Sequence, residues 1–323
     1  MVASAEKRKK EYPDPFCDEK IRQLQTCTET NSFLIFYNAK ALTSGHSLIV
    51  TKDHKDGLLD LTHDEAQELF ALIKRALPIL LDVYDRGENA YDLKIRSGIS
   101  SGRTVGHFHV HLIPRKKIGG DYERIYEENL AHPDRPFLED ISKDVEGLRR
   151  KFGDGSSADS KNTSSCNQPD DAELEQRLLD NVFYGSKHFL ALYHPDPVID
   201  GHALLIPRRN VTDLLALSEE EIADMISTYS IVMRMLLKKY GHGSRSYITS
   251  LQTGGYKNSP TDRLHIHLVP RSQSDRYGKD NTHDKMYYDI YESGEADRVI
   301  DSAHIPRDIE DLKRIAKEII RRC

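Results

Sequence analysis

The chain has 323 residues, 38% of them hydrophobic and 30% charged, with a formal net charge of −6 at pH 7. That length suits two domains of ordinary size better than one, and the acidic balance speaks against a general nucleic-acid binder, whose surface needs a basic surplus. No apolar run approaches the roughly 18 residues of a membrane helix, so no membrane partner is expected.

The opening residues, "MVASAEKRKKEYPDP", carry charge and no apolar stretch of the kind a secretory signal uses. Residues 1–15 are expected to be a disordered tail, with "EKRKK" a weak nuclear signal. Cys17, Cys27, Cys166 and Cys323 show no CxxC or other zinc-type spacing. They read as reduced thiols of a cytoplasmic chain, and no dedicated metal site is expected.

Next come "FLIFYN" (33–38) and "GHSLIVT" (45–51), short apolar runs that predict strands separated by a Gly turn. Thr62 and Glu65 form the S/T-x-x-E pattern that opens a long helix. "YDLKIRSG" (91–98) and "GHFHVHLIPR" (106–115) predict a second strand pair. "FGDGSSADSKNTSSCNQPDD" (152–171) is rich in Gly, Ser, Asn and Asp and reads as a flexible linker. Then the series repeats: "FLALYHPDPVIDGHALLI" (189–206) aligns without gaps to residues 33–50, Ser218 and Glu221 open a second helix, and "SYITSLQTGG" and "RLHIHLVPR" give a second strand pair. The differences 189 − 33, 202 − 46 and 265 − 109 all equal 156, so the chain is one unit written twice. Each unit reads as α+β, a meander of antiparallel strands with one long helix. Two such units lying edge to edge would cover each other's exposed strands.

His107, His109 and His111 alternate along one strand, which puts their rings on one face about 6.6 Å apart. Phe108, Val110 and Leu112 then face a core. Three uses of such a row compete. An H-x-H pair can hold zinc, but a catalytic zinc needs a third ligand, and the second copy carries Arg263, a permanent cation, at the first position. The rings could be purely structural. Or a neutral imidazole, near its ordinary pKa of about 6.5, attacks phosphorus to form a phosphoramidate that water later cleaves. Its neighbours would then stabilise charge on the phosphoryl oxygens.

"HFHVHLI" fits the His-φ-His-φ-His-φ-φ signature of the histidine triad (HIT) superfamily. "GHSLIV", "GRTVGHFHVHLIPRK", "ERIYEE" and "DVEGLRRKF" follow in the order that resembles its fragile histidine triad branch, hydrolases of dinucleoside polyphosphates. The likeness covers most of residues 33–152 and, more weakly, 189–320. It implies two domains, 16–152 and 172–323, joined by a linker at 153–171, each an antiparallel five-stranded sheet with a long helix. The two would pair as a pseudo-dimer within one monomeric chain, because the linker gives the second copy a high effective concentration; higher assembly stays open.

The same resemblance implies site residues. His109 is the expected nucleophile on the α-phosphate, His111 contacts the phosphate, and His107 and His46 support the network. Asn38 would bind the ribose, and Gly102, Arg103, Thr104 and Val105 would cradle phosphates, with Tyr126 on a nearby loop. Arg96 and Arg103 stand where the family carries glutamines, and each offers a bidentate fork for phosphate oxygens. The second copy keeps His202, Gln252, the nucleophile equivalent His265 and His267. It has His194 for Asn38 and Ser259 for the cradle glutamine, so a weakened or purely binding site is expected there. Magnesium (or manganese) is expected as a complex with the substrate's phosphates, not as a resident ion. Transferase, phosphorylase and phosphoramidase chemistry compete with hydrolysis, as does nucleotide sensing. His111, where phosphorylase and uridylyltransferase branches commonly carry glutamine, favours hydrolysis.

Overall fold

The computed structural model describes residues 14–84, 90–103, 105–115, 117–118, 121–122, 142–153, 181–194, 197, 199–252 and 264–275. The expected linker lies almost wholly outside these residues.

In the first half, a 3-10 turn at Pro15–Cys17 leads into α1 (Glu19–Gln25), then β1 (Thr26–Glu29), β2 (Phe33–Tyr37) and β3 (Ser47–Thr51). The long helix α2 (His63–Val83) follows, then β4 (Tyr91–Ser97), β5 (His109–Pro114), a small ribbon of β6 (Lys117–Ile118) and β7 (Asp121–Tyr122), and α3 (Ser142–Gly153). The second half has β8 (Val182–Gly185), β9 (Phe189–Tyr193), β10 (Ala203–Pro207), α4 (Glu219–Tyr240), β11 (Ser246–Gln252) and β12 (Ile266–Arg271). Both expected capping boxes form. Thr62 Oγ1 accepts from the Glu65 amide at 3.2 Å while Glu65 Oε2 accepts from the Thr62 amide at 2.7 Å. Ser218 and Glu221 repeat the exchange at 3.2 and 2.8 Å. Each box satisfies two amides that have no partner within the first helical turn.

Ten strands form one antiparallel sheet in the order β1-β2-β3-β5-β4-β11-β12-β10-β9-β8, five from each half. The halves join where β4 pairs with β11, from Tyr247↔Ser97 to Gln252↔Asp92. Lys94 faces Ser250 in that register, and 250 − 94 is the repeat's own 156. Equivalent residues therefore meet at the seam, the signature of a two-fold, isologous contact. A glycine is required beside it: Gly98 has φ +77°, and a Cβ there would lie 2.6 Å from the Ser246 Cα across the seam.

The period-2 alternation decides what each face does. Phe33, Ile35, Ile49, Leu93, Ile95, Phe108, Val110 and Leu112 pack with Leu69, Ile73, Ala76, Leu77 and Leu80 of α2. The same cluster runs on through Leu205, Leu268, Val232, Met233 and Leu236 of the second half, giving one core for both copies. The opposite face carries the histidines. Among the described residues no helix is long and apolar enough to cross a membrane.

Polar bonds tie the halves together as well. Tyr91 Oη donates to Asp213 Oδ1 at 2.7 Å, Tyr247 Oη accepts from the Leu59 amide at 3.0 Å, and Lys74 Nζ donates to the Leu217 carbonyl at 2.6 Å. Burial raises the Asp213 carboxyl above its ordinary value, which marks the anion as poorly solvated. Tyr91→Phe is expected to lower unfolding stability by about 1–2 kcal/mol, because the carboxylate loses one of its two donors and keeps only the Leu215 amide at 2.8 Å. Urea unfolding should still show one cooperative transition; two separate transitions, one per half, would contradict a shared core.

Candidate active site

Strand β5 and the second residue before it present the histidine row. His107 and His109 are buried and His111 is half-buried. Their hydrogen bonds assign each ring a role. His109 Nδ1 lies 2.8 Å from the backbone carbonyl of His107, an acceptor only. Nδ1 therefore carries the ring proton and Nε2 keeps its lone pair. Burial pushes the His109 pKa from 6.5 down to about 4; the charges at His107, Arg103 and Arg96 act in the same direction, against the opposing carbonyl bond. The ring is neutral at physiological pH.

His111 is oriented by a chain of bonds from β3 and the turn before it. The Leu42 amide donates to His46 Nδ1 at 3.1 Å, so a neutral His46 carries its proton on Nε2. That nitrogen lies 3.0 Å from His111 Nδ1, which accepts, leaving the His111 proton on Nε2. The His109 and His111 rings sit edge to face with centroids 4.9 Å apart. Two neighbouring imidazoles thus differ in chemistry, one with a bare nitrogen and one with an N–H.

His107 supports from behind. Its Nε2 faces the Thr51 carbonyl at 2.7 Å and the Thr51 hydroxyl at 2.9 Å, and its Nδ1 faces Asp14 Oδ2 at 2.8 Å. Burial alone would raise the Asp14 carboxyl, but hydrogen bonds with His107, Cys17 and His54 outweigh it and hold the group well below the usual carboxylate range. The expected tail boundary after residue 15 is therefore two residues late: Asp14 and Pro15 belong to the domain. Phe16, in the same turn, lies edge-on to His109 with centroids 5.3 Å apart.

Other expected residues fall less neatly. Asn38 Nδ2 lies 3.2 and 3.4 Å from the two His46 nitrogens, so this side chain borders the network. Arg96 is buried and its Nη1 donates to the Gly102 carbonyl at 3.0 Å, bracing the loop that was expected to cradle phosphates. Arg103 is turned the other way: it donates to the Asp56 carbonyl and to Asp56 Oδ1 at 2.6 and 3.1 Å. Arg103 was expected among the phosphate-binding groups; in this structure its guanidinium is engaged by the exposed Asp56. Val105 packs its side chain against the apolar patch of Phe16, Leu34, Phe36, Leu48 and Val50. Thr104, Tyr126 and Ser259 lie outside the described residues, and Gln252 is placed only by its backbone, opposite Asp92.

Two contributors were not singled out from the sequence. Asp14 gave no local signal, being 93 residues from its partner. Lys94 did, through the alternation of Asp92, Lys94 and Arg96. It is buried directly opposite His111 on β4, with Nζ 3.9 Å from Asp92 Oδ2, while Arg115 Nε lies 3.2 Å from Asp92 Oδ1.

The second half repeats part of this arrangement. His202 Nε2 lies 2.9 Å from His267 Nδ1, matching the His46–His111 pair. His265 is half-buried with its centroid 5.1 Å from that of His267. His194, in Asn38's place, stacks on His202 at 4.1 Å and 13°. Burial, helped by His265 and His194, holds His267 well below 6.5.

A family model described as the HIT domain matches residues 22–118 and 175–274. A relative in Schizosaccharomyces pombe, named bis(5'-nucleosyl)-tetraphosphatase [asymmetrical], is 33% identical over 94 residues, which is 29% of this chain and 50% of that protein. One in Dictyostelium discoideum, named bis(5'-adenosyl)-triphosphatase, is 29% identical over 135 residues, 41% of this chain and 88% of that protein. Among solved structures, an ADP-glucose phosphorylase from Arabidopsis thaliana superposes with a TM-score of 0.53 at 12% identity, covering 95% of this chain and 91% of that one. This last likeness concerns the fold alone.

The two arginines should separate in a stability measurement. Arg96→Gln removes a buried charged donor and is expected to cost about 1–3 kcal/mol. Arg103→Gln breaks a pair whose Asp56 partner is largely exposed and should cost under about 1 kcal/mol. Urea midpoints in the reverse order would show the assignments to be interchanged.

Proposed function

The chain belongs to the HIT domain family, matched through both of its halves, and from that premise we propose that its N-terminal half hydrolyses dinucleoside polyphosphates of the diadenosine tri- or tetraphosphate type at the α-phosphate. One observation carries the reading: a neutral His109 donates a hydrogen bond from Nδ1–H to the His107 carbonyl, which leaves the Nε2 lone pair for phosphorus. In this reaction Nε2 bonds to the α-phosphorus as the bridging P–O bond breaks. The departing polyphosphate oxygen takes the Nε2 proton of His111. Lys94 and Arg96 add positive charge near the phosphoryl oxygens. Water then bonds to phosphorus as the P–N bond breaks, returning one proton to His111 Nε2 and leaving its hydroxyl on the nucleoside monophosphate, which restores both His109 and His111. Magnesium or manganese enters with the polyphosphate as part of the substrate. The activities for which the Schizosaccharomyces pombe and Dictyostelium relatives are named support the substrate class.

Nucleotidyl transfer to phosphate or to a sugar phosphate is the second reading, since the fold also occurs in a phosphorylase and does not itself choose the acceptor. His111 at the position where those branches commonly carry glutamine favours water as acceptor. The second half, with Arg263 for a histidine and His194 for an asparagine, suits binding or sensing better than an equal turnover.

Incubation with diadenosine triphosphate should yield AMP and ADP, unchanged by added phosphate; ADP alone in the presence of phosphate would favour the second reading. His109→Ala should lower turnover at least a thousandfold, in the range seen when a covalent nucleophile is removed, and His265→Ala should leave most of it. Labelled substrate should leave a nucleotidyl adduct at residue 109, and intact turnover without that residue would end the proposal. In this reading one chain is a complete pseudo-dimer, so light scattering should return the mass of one chain; an obligate pair of chains would contradict it.

A further inference from the structure

The two long helices and the sheet enclose a cavity of about 170 Å³ on the face opposite the histidines. Its floor is β4, β11 and β12, through Leu93, Ile95, Thr249, Leu251 and Ile266, and its walls come from α2 and α4 with the turns before them. Thr62, His63 and Ser227 also line it and are exposed, so it opens to the surface there. Protein interiors rarely leave voids larger than a water molecule. We propose that this cavity binds a small, uncharged aromatic molecule, of phenol or indole size and carrying one hydrogen-bond donor, between the two copies.

Size and charge set the class of ligand. A dry apolar cavity of about 150 Å³ holds one benzene ring, so this one admits a ring with a small substituent or a fused pair. Among the described residues no lysine, arginine, aspartate or glutamate lines it. A polyphosphate or any other anion would shed its water and meet no counter-charge. That separates this site from the nucleotide chemistry on the other face. Within the apolar lining stand two buried residues, Tyr229 and Thr249, whose hydroxyls are 2.6 Å apart. Whichever of them donates, the pair keeps lone pairs that accept from a third group. An apolar interior with one polar pair and a polar mouth is the usual make-up of a small-molecule site.

The duplication shows that the fold itself does not demand those hydroxyls. At the shift of 156, Leu58 is equivalent to Leu214, Phe70 to Ile226 and Ile95 to Leu251, and all six line the cavity. The cavity therefore straddles the local two-fold. Tyr229 and Thr249, however, correspond to Ile73 and Leu93, both buried in the apolar core. The same packing positions accept isoleucine and leucine in the first copy and leave no polar group to satisfy. Ala66 of the lining corresponds to Ile222, so the first copy keeps a small side chain where the second has a large one. Space on one side and a hydroxyl pair on the other serve an occupant; a core that only packs needs neither.

The chain has no tryptophan, so indole added to the full-length protein can be followed by its own fluorescence, excited where tyrosine does not absorb. Its emission should move to the blue and saturate at about one indole per chain; phenol should displace it and benzoate should not. Both neutral probes should raise the melting temperature, by about 3–8 °C at about a hundred times Kd. Ala66→Ile puts the second copy's residue into the cavity and should abolish indole binding without lowering the melting temperature. Replacing the hydroxyl pair together, Tyr229→Phe with Thr249→Val, strands neither partner and should weaken phenol about tenfold while leaving benzene unchanged. That double substitution decides alone should Ala66→Ile fail to fold. No saturable binding of indole or phenol, the result for a cavity filled by another segment of the chain, would overturn the proposal. So would indole binding that survives Ala66→Ile, displacement by benzoate, or phenol and benzene affected alike by the double substitution.

Discussion

The pairing of β4 with β11 constrains everything else in the molecule. It joins two five-stranded sheets along edges that would otherwise expose unpaired amides and carbonyls, and it sets equivalent residues opposite each other around a local two-fold at Lys94 and Ser250. Because both long helices lie on one side of the resulting sheet, the apolar side chains of the two copies merge into one cluster. The histidines of both copies are left together on the other side. A chain folded this way holds its two histidine clusters on one continuous sheet.

Within that frame the two copies have diverged by changing what surrounds a shared imidazole pair. His46–His111 and His202–His267 are 3.0 and 2.9 Å apart and equivalent in sequence. Around the first pair stand an amide, a buried lysine and a histidine tied to a carboxylate. Around the second stands a stacked imidazole, with serine opposite the lysine's place and arginine for the tied histidine. The direction of each ring's proton follows from these neighbours, since an amide N–H or a carbonyl oxygen permits only one tautomer. Chemical difference between the copies thus comes from the partners of the rings more than from the rings.

The N-terminal turn shows how a short local element gains a long-range role. Asp14 caps the turn through the Phe16 amide, a bond spanning two residues, and its second oxygen reaches across to His107. Phe16 is carried onto the edge of His109 by the same turn. A residue that reads as the end of a charged tail becomes part of the support for the expected nucleophile.

Much was legible from the amino-acid order because it depends on near neighbours. Strand alternation separated the histidine face from the core, the S/T-x-x-E patterns located both long helices, and self-similarity at a constant shift revealed the duplication. The small elements α1, β1 and β8 left no such pattern, being too short to show a period. Only the tertiary structure decided that Asp14 meets His107, that Arg103 is held by Asp56 while Arg96 turns inward, and that Lys94 lies against His111. Those contacts join residues from 17 to 93 positions apart. No periodicity encodes them, because they form only after the sheet has brought distant strands and turns side by side.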